Sequence, residues 1–199
     1  MLLLLLICVA CAKPVNSLNR YPATAMLNDS TWFGNAQAVK LRPVKNDPCS
    51  DRNRFLLLLH TDLPYVRMPD REKFTPTTGC LGDCRASQQV SFYNVPLKRG
   101  KYKIAVLNLC TTFTNSTDPY ALTGYAGGVY VSYAPTGKTK NWIKITRYNQ
   151  ESNLIEGRFK LTLVKNNKTE TSLVNAGPDR AHFRKGKFTA QLKPTLELN

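Results

Sequence analysis

The segment Ile155-Glu156-Gly157-Arg158-Phe159-Lys160-Leu161-Thr162-Leu163 decides the fold class. Every second residue is apolar or Gly, and Glu156, Arg158, Lys160 and Thr162 fill the positions between. Side chains alternate across a strand with a period of two, so one face meets a core and the other meets water. That is a half-buried antiparallel strand. Working outward, Asn149 to Asn153 turns the chain before it, and Asn141 to Tyr148, with Trp142-Ile143-Lys144-Ile145, supplies the preceding strand. Asn166-Asn167 turns the chain after it, and Phe188, Ala190 and Leu192 mark a last strand of the same kind.

Upstream the pattern continues. Ala23 to Leu27 reads as a short strand, Asn28-Asp29-Ser30 as a turn, and Thr31-Trp32-Phe33 as resumed extended chain. Ala36 to Val44 is a strand stopped by Pro43 and Asn46-Asp47-Pro48. Phe55 to Leu59 is an unbroken apolar run, which predicts burial on both faces. Val90 to Val95 leads through Pro96 and the Arg99-Gly100 turn to a strand over Lys101 to Leu109. Tyr120 to Tyr133 is rich in Tyr and Val, with a bend or bulge at Gly127-Gly128. Helical periodicity is scarce. About eight to ten strands with closely spaced turn signals predict an all-β fold, an antiparallel β-sandwich or barrel. From Thr61 to Ala86, Pro64, Pro69, Pro76 and Gly79 interrupt any regular element, so a long loop is expected, pinned by disulfide. Glu156-Gly157-Arg158-Phe159 and Lys185-Gly186-Lys187-Phe188 echo each other, and the simplest account is Gly relieving twist before a Phe enters the core.

Length and charge set further bounds. A chain of 199 residues suits one domain, placed at 21–194, with a linker at 13–20 and a tail at 195–199. The net charge of +15 attracts polyanions, an anionic glycan or a lipid surface among them. Because Lys and Arg are spread along the chain, the sequence favours a solvated surface. The densest cluster, Arg180, Arg184, Lys185 and Lys187, reads as alternating strand positions.

Residues Leu2 to Ala10 form an apolar run about half the length needed to cross a bilayer, which fits the core of a signal peptide over residues 1–12. Cys8-Val9-Ala10-Cys11 is similar to the lipobox of bacterial lipoproteins, with Cys11 as the acylated mature N-terminus. The competing exit is Ala10-Cys11-Ala12, an A-x-A site that releases a soluble secreted protein. Export agrees with the remaining cysteines: Cys49, Cys80, Cys84 and Cys110 are an even set, expected to form disulfides whose pairing stays open. The sharper alternative, a zinc site, usually needs two tight Cys pairs, and only Cys80 with Cys84 comes near.

The motifs resemble a family of small Bacteroidota lipoproteins of unknown function. Asn141 to Tyr148, then Leu154 to Leu161, then Gly186-Lys187-Phe188 are similar to that family's closing hairpin and G-x-F last strand. Ala25-Met26-Leu27-Asn28-Asp29-Ser30-Thr31-Trp32 is similar to its opening, with Asp29 in place of a turn Gly, and Val95-Pro96 with Gly100-Lys101-Tyr102 is similar to its "I-P…G-x-Y". The resemblance implies a β fold and a lipid-anchored envelope protein, held to a membrane through Cys11. It supplies no catalytic residues.

Signals for chemistry are few. His60 is followed by Asp62, but no nucleophile motif accompanies them, so a hydrolase using His60 is only an alternative. Asp62, Asp70, Glu72 and Asp83 lack the spacing of a calcium loop. No phosphate-binding Gly loop is present. Catalytic residues, cofactors and metals are therefore not expected. The aromatic residues Tyr125, Tyr130, Trp142 and Tyr148 are candidates for a ligand-binding face, although strand aromatics usually serve core or cross-strand pairs. The expectation is a non-catalytic, monomeric envelope lipoprotein, a binding or structural module that does not bind nucleic acid. The alternative is a carbohydrate- or small-ligand-binding barrel secreted in soluble form.

Overall fold

The alternating segment is a 12-residue strand, Leu154–Lys165, and the sheet is built around it. The structure is a computed structural model and describes residues 21–42, 53–61, 88–108, 120–123, 129–136, 140–166 and 178–194. Ten strands and one short helix succeed one another in order: β1 (Ala23–Leu27), β2 (Ser30–Lys40), β3 (Arg54–Thr61), β4 (Gln88–Pro96), β5 (Gly100–Lys103), α1 (Ile104–Asn108), β6 (Tyr120–Thr123), β7 (Val129–Pro135), β8 (Trp142–Asn149), β9 (Leu154–Lys165) and β10 (Arg180–Lys193). All ten strands belong to one sheet, so the chain is all-β. The thiols of Cys49, Cys80, Cys84 and Cys110, the leader with Cys11, and the long loop beyond Thr61 lie outside the described residues.

Along one edge of β9 runs β10, in antiparallel register from Arg180↔Val164 to Gln191↔Leu154. The other edge is shared: β8 pairs with residues 154 to 160, and β7 with residues 163 to 165. Asn141 fills the gap between them. Its Nδ2 donates to the Thr162 carbonyl at 3.1 Å and its Oδ1 accepts from the Thr162 N–H at 2.6 Å, standing in for a ladder partner. From β7 the pairing passes through β6, β4 and β3 to β2, and β2 meets β10 in two parallel pairs, Leu192↔Ala38 and Lys193↔Val39. The sheet therefore curls back on itself, with a seam only two pairs long instead of closure along its length.

Inside the curl lies one core. Trp32, Phe55, Leu57, Leu59, Phe92, Phe159, Leu161 and Phe183 are all buried. Trp32 and Phe183 meet edge to face at 5.8 Å, as do Phe92 and Phe159 at 5.4 Å, the geometry favoured by ring quadrupoles. The buried Trp32 Nε1–H donates to Gln88 Oε1 at 2.9 Å. Tyr133 is buried and donates its hydroxyl to the Pro178 carbonyl at 2.9 Å; burial first, and Asp179 second, push its pKa above the usual phenol value.

Several sequence expectations need correction. Phe55 to Leu59 is not buried on both faces: Leu56 and Leu58 are half-buried while Phe55, Leu57 and Leu59 point into the core, because a single curled sheet has only one interior. The strand expected over Lys101 to Leu109 ends at Lys103, and Ile104–Asn108 is a helical turn that buries Ile104 and Leu107 three residues apart. Tyr120 to Tyr133 divides into β6 and β7, which pair antiparallel. The echoing motifs pack against each other. Their register sets Gly157 opposite Phe188 and Gly186 opposite Phe159, and a Cβ on Gly157 would lie 2.4 Å from the Phe188 ring. Each Gly makes room for the other motif's Phe.

Candidate functional site

Of the four residues expected to form an aromatic face, the two whose side chains are described, Trp142 and Tyr148, do not share a side of the sheet. Tyr125 lies outside the described residues, as does the side chain of Tyr130 on β7. Trp142 and Tyr148 are both on β8, and even spacing predicts a shared face. A bulge intervenes: Ile145 pairs with Gly157, Arg147 with Glu156 and Tyr148 with Ile155, leaving Thr146 as the extra residue. One inserted residue reverses the parity of the strand beyond it. Trp142 therefore stands on the outer face across from Lys160, and Tyr148 turns inward to pack on the rim of the core. Tyr148 helps line a shallow cavity of about 350 Å³ at one end of the sheet, with Lys40, Asn53 and Pro96 to Lys98. His60 is buried at the end of β3, where its carbonyl crowds Gly34, and Asp62 lies outside the described residues. Among the described residues no group of His, Cys, Asp or Glu could hold a metal ion, and no helix is long and apolar enough to cross a membrane.

What the fold does assemble is charge. On the outer face of β5, β8, β9 and β10, Lys101 pairs with Lys144, Lys144 with Arg158, and Arg158 with Lys187. These four cations stand in register across four adjacent strands, and all four are exposed. Strands lie about 4.8 Å apart, so the row is about 14 Å long. A second line runs beside it, two residues or about 6.7 Å along the strands. There Lys103 pairs with Trp142 and Trp142 with Lys160, and the β10 bulge between Phe183 and Gly186 brings Arg184 and Lys185 to the surface together.

Two features show how the bulge on β10 is held. Lys185 adopts a left-handed φ of 52°, which releases one residue from the ladder. Arg184 reaches Asp29 in the turn between β1 and β2. That turn is a two-residue link with φ of 43° at Asn28 and 67° at Asp29, a conformation Asn and Asp tolerate best after Gly. Asn28 also donates through Nδ2 to the Arg180 carbonyl at 2.7 Å and accepts through Oδ1 from the His182 N–H at 2.8 Å, fastening the first hairpin to the last strand.

Acidic partners on this face are few among the described residues. Glu156 is 3.7 Å from Arg147, and Asp29 takes Arg184; the four cations of the central row are in neither ion pair. Lys101 Nζ sits 4.5 Å from the centroid of the Trp142 ring, so the indole already holds a cation. Like charges set directly opposite on neighbouring strands are destabilising. Lys101 and Lys103 alone would be ordinary, since charged residues on an edge strand such as β5 discourage unwanted pairing. Lys144 and Arg158 lie on interior strands and have no such reason to be cationic.

Sequence reasoning missed this face. Its signal was present as doublets, Lys101-x-Lys103, Arg158-x-Lys160 and Lys185-x-Lys187, each of which puts two cations on one side of a strand. The alignment of those doublets depends on register, which the sequence does not display. Comparison with family models, with curated proteins and with solved structures found no match.

Proposed function

We propose that the chain is a non-catalytic, exported envelope lipoprotein that acts as a binding module, and that the cationic outer face of β5, β8, β9 and β10 is its working surface. The observation that carries this reading is the in-register row Lys101–Lys144–Arg158–Lys187, a repulsive arrangement that a bound anion would neutralise. Attachment through Cys11 is supported by the Cys8-Val9-Ala10-Cys11 sequence and by the motif resemblance to small Bacteroidota lipoproteins. Acyl chains contribute about 0.8 kcal/mol per buried CH₂, so a multiply acylated Cys11 would keep the basic face close to the envelope.

The test uses the protein in its host. Metabolic labelling with palmitate is expected to mark the wild type and to miss Cys11→Ser, while Lys144→Glu/Arg158→Glu keeps the label but is released from envelope fractions at lower salt once the lipid is removed. Unlabelled wild type refutes the anchor. Identical salt release of the two proteins refutes the working surface.

A further inference from the structure

We infer that the ligand of the cationic face is a linear acidic polysaccharide, a glycan bearing carboxylate or sulfate groups, lying across β5, β8, β9 and β10; this rests on the reading of that face as the working surface. The row Lys101–Lys144–Arg158–Lys187 and the line containing Lys103, Lys160 and Lys185 run side by side. A thread laid between them meets positive charge on one flank along about 14 Å and on the other at every strand but β8, where Trp142 stands.

Shape selects the class of polyanion. The inner face of the sheet wraps the core, so the outer face is convex, and the rows track the direction of that curvature because they cross the strands. A flat lipid surface touches a convex face near one line and leaves the ends of each row unused. Duplex DNA, with a persistence length of about 50 nm, is similarly stiff on this scale. A flexible glycan can bend over the face and engage each row throughout. Single-stranded nucleic acid is bound by successive bases stacking on aromatic side chains. Here Trp142, the β8 member of the second line, is the one aromatic side chain in either line among the described residues, and Lys101 already lies over its ring. The site is thus made for reading charge on a backbone without flat bases.

The experiment takes the full-length Cys11→Ser chain purified from its host and measures affinity for polygalacturonate, dextran sulfate, uncharged dextran, duplex DNA and phosphatidylglycerol vesicles. Both acidic glycans are expected to bind, more weakly as salt rises, and uncharged dextran to fail. Lys144→Glu/Arg158→Glu is expected to weaken glycan binding by about tenfold or more, against less than about twofold for Lys40→Glu/Lys193→Glu, which makes the same charge change away from the rows. The milder Lys144→Gln/Arg158→Gln, checked by thermal melting, gives the same direction should the reversal disturb folding. Tighter binding of DNA or vesicles than of either glycan, with the same dependence on the row, overturns the glycan and leaves the surface standing. Equal loss in the row and control pairs overturns both.

Discussion

Gly157 and Gly186 show how a single missing Cβ can organise two strands. Each faces the other motif's phenylalanine in the β9–β10 register. A Cβ on Gly186 would lie 2.7 Å from the Phe159 ring, whereas one on Gly157 would lie 2.4 Å from Phe188 and 2.5 Å from the backbone oxygen of Lys144. A ring can shift, but a ladder carbonyl cannot move without loosening β8. Gly186→Ala is therefore expected to cost about 1–3 kcal/mol in denaturant unfolding, the usual range for overpacking, and Gly157→Ala to cost more. Equal and negligible losses would show that the pairs do not interlock. The repetition of the two motifs was plain in the sequence. Its meaning was not, because the facing partner of a Gly is fixed by register between strands about 30 residues apart.

Elements here are shaped by small irregularities that composition does not reveal. The alternation of β9 and β10 and the runs of β3, β4 and β8 were legible because one-sided burial writes a period of two into the chain. The Thr146 bulge was not, so counting along β8 placed Tyr148 beside Trp142 when the two occupy opposite faces. The helical turn after β5 left a trace in Ile104 and Leu107, whose spacing of three suits a helix. At this scale Asn141 matters most, since its amide fills the gap that β8 and β7 leave on the edge of β9. Asn141→Ala strips partners from the Thr162 N–H and carbonyl, and is expected to cost about 2–4 kcal/mol, with faster amide exchange at Thr162. Asn141→Asp keeps the acceptor and should lose about half as much. If exchange at Thr162 is unchanged in Asn141→Ala, the amide does not hold this gap in the β9 edge.

For the molecule as a whole, part of the +15 charge has a structural address. Eight of the 28 lysines and arginines, scattered in the sequence, are gathered by β-pairing onto one face, and the four of the central row come from segments as far apart as Lys101 and Lys187. Those charges repel one another. Salt of about 0.1 M shortens the screening length to about 10 Å, less than the length of the row. The melting temperature is therefore expected to rise from low to moderate salt. Lys144→Gln/Arg158→Gln should melt higher than wild type at low salt and respond less to added salt. A wild-type melting temperature that stays flat or falls contradicts the repulsion. All-β class was readable from the sequence; the cationic face was not, because electrostatic patches belong to the assembled sheet.

The bonds that Asn28 makes to Arg180 and His182 reach across more than 150 positions of chain. The hairpin of β1 and β2 thus finds its far-side neighbour in β10, the strand most distant from it in sequence. Such distant pairings carry a high contact order and close slowly. Until β10 is in place, β1 and β9 each lack a neighbour along one edge, so a single late pairing finishes both sides of the sheet at once.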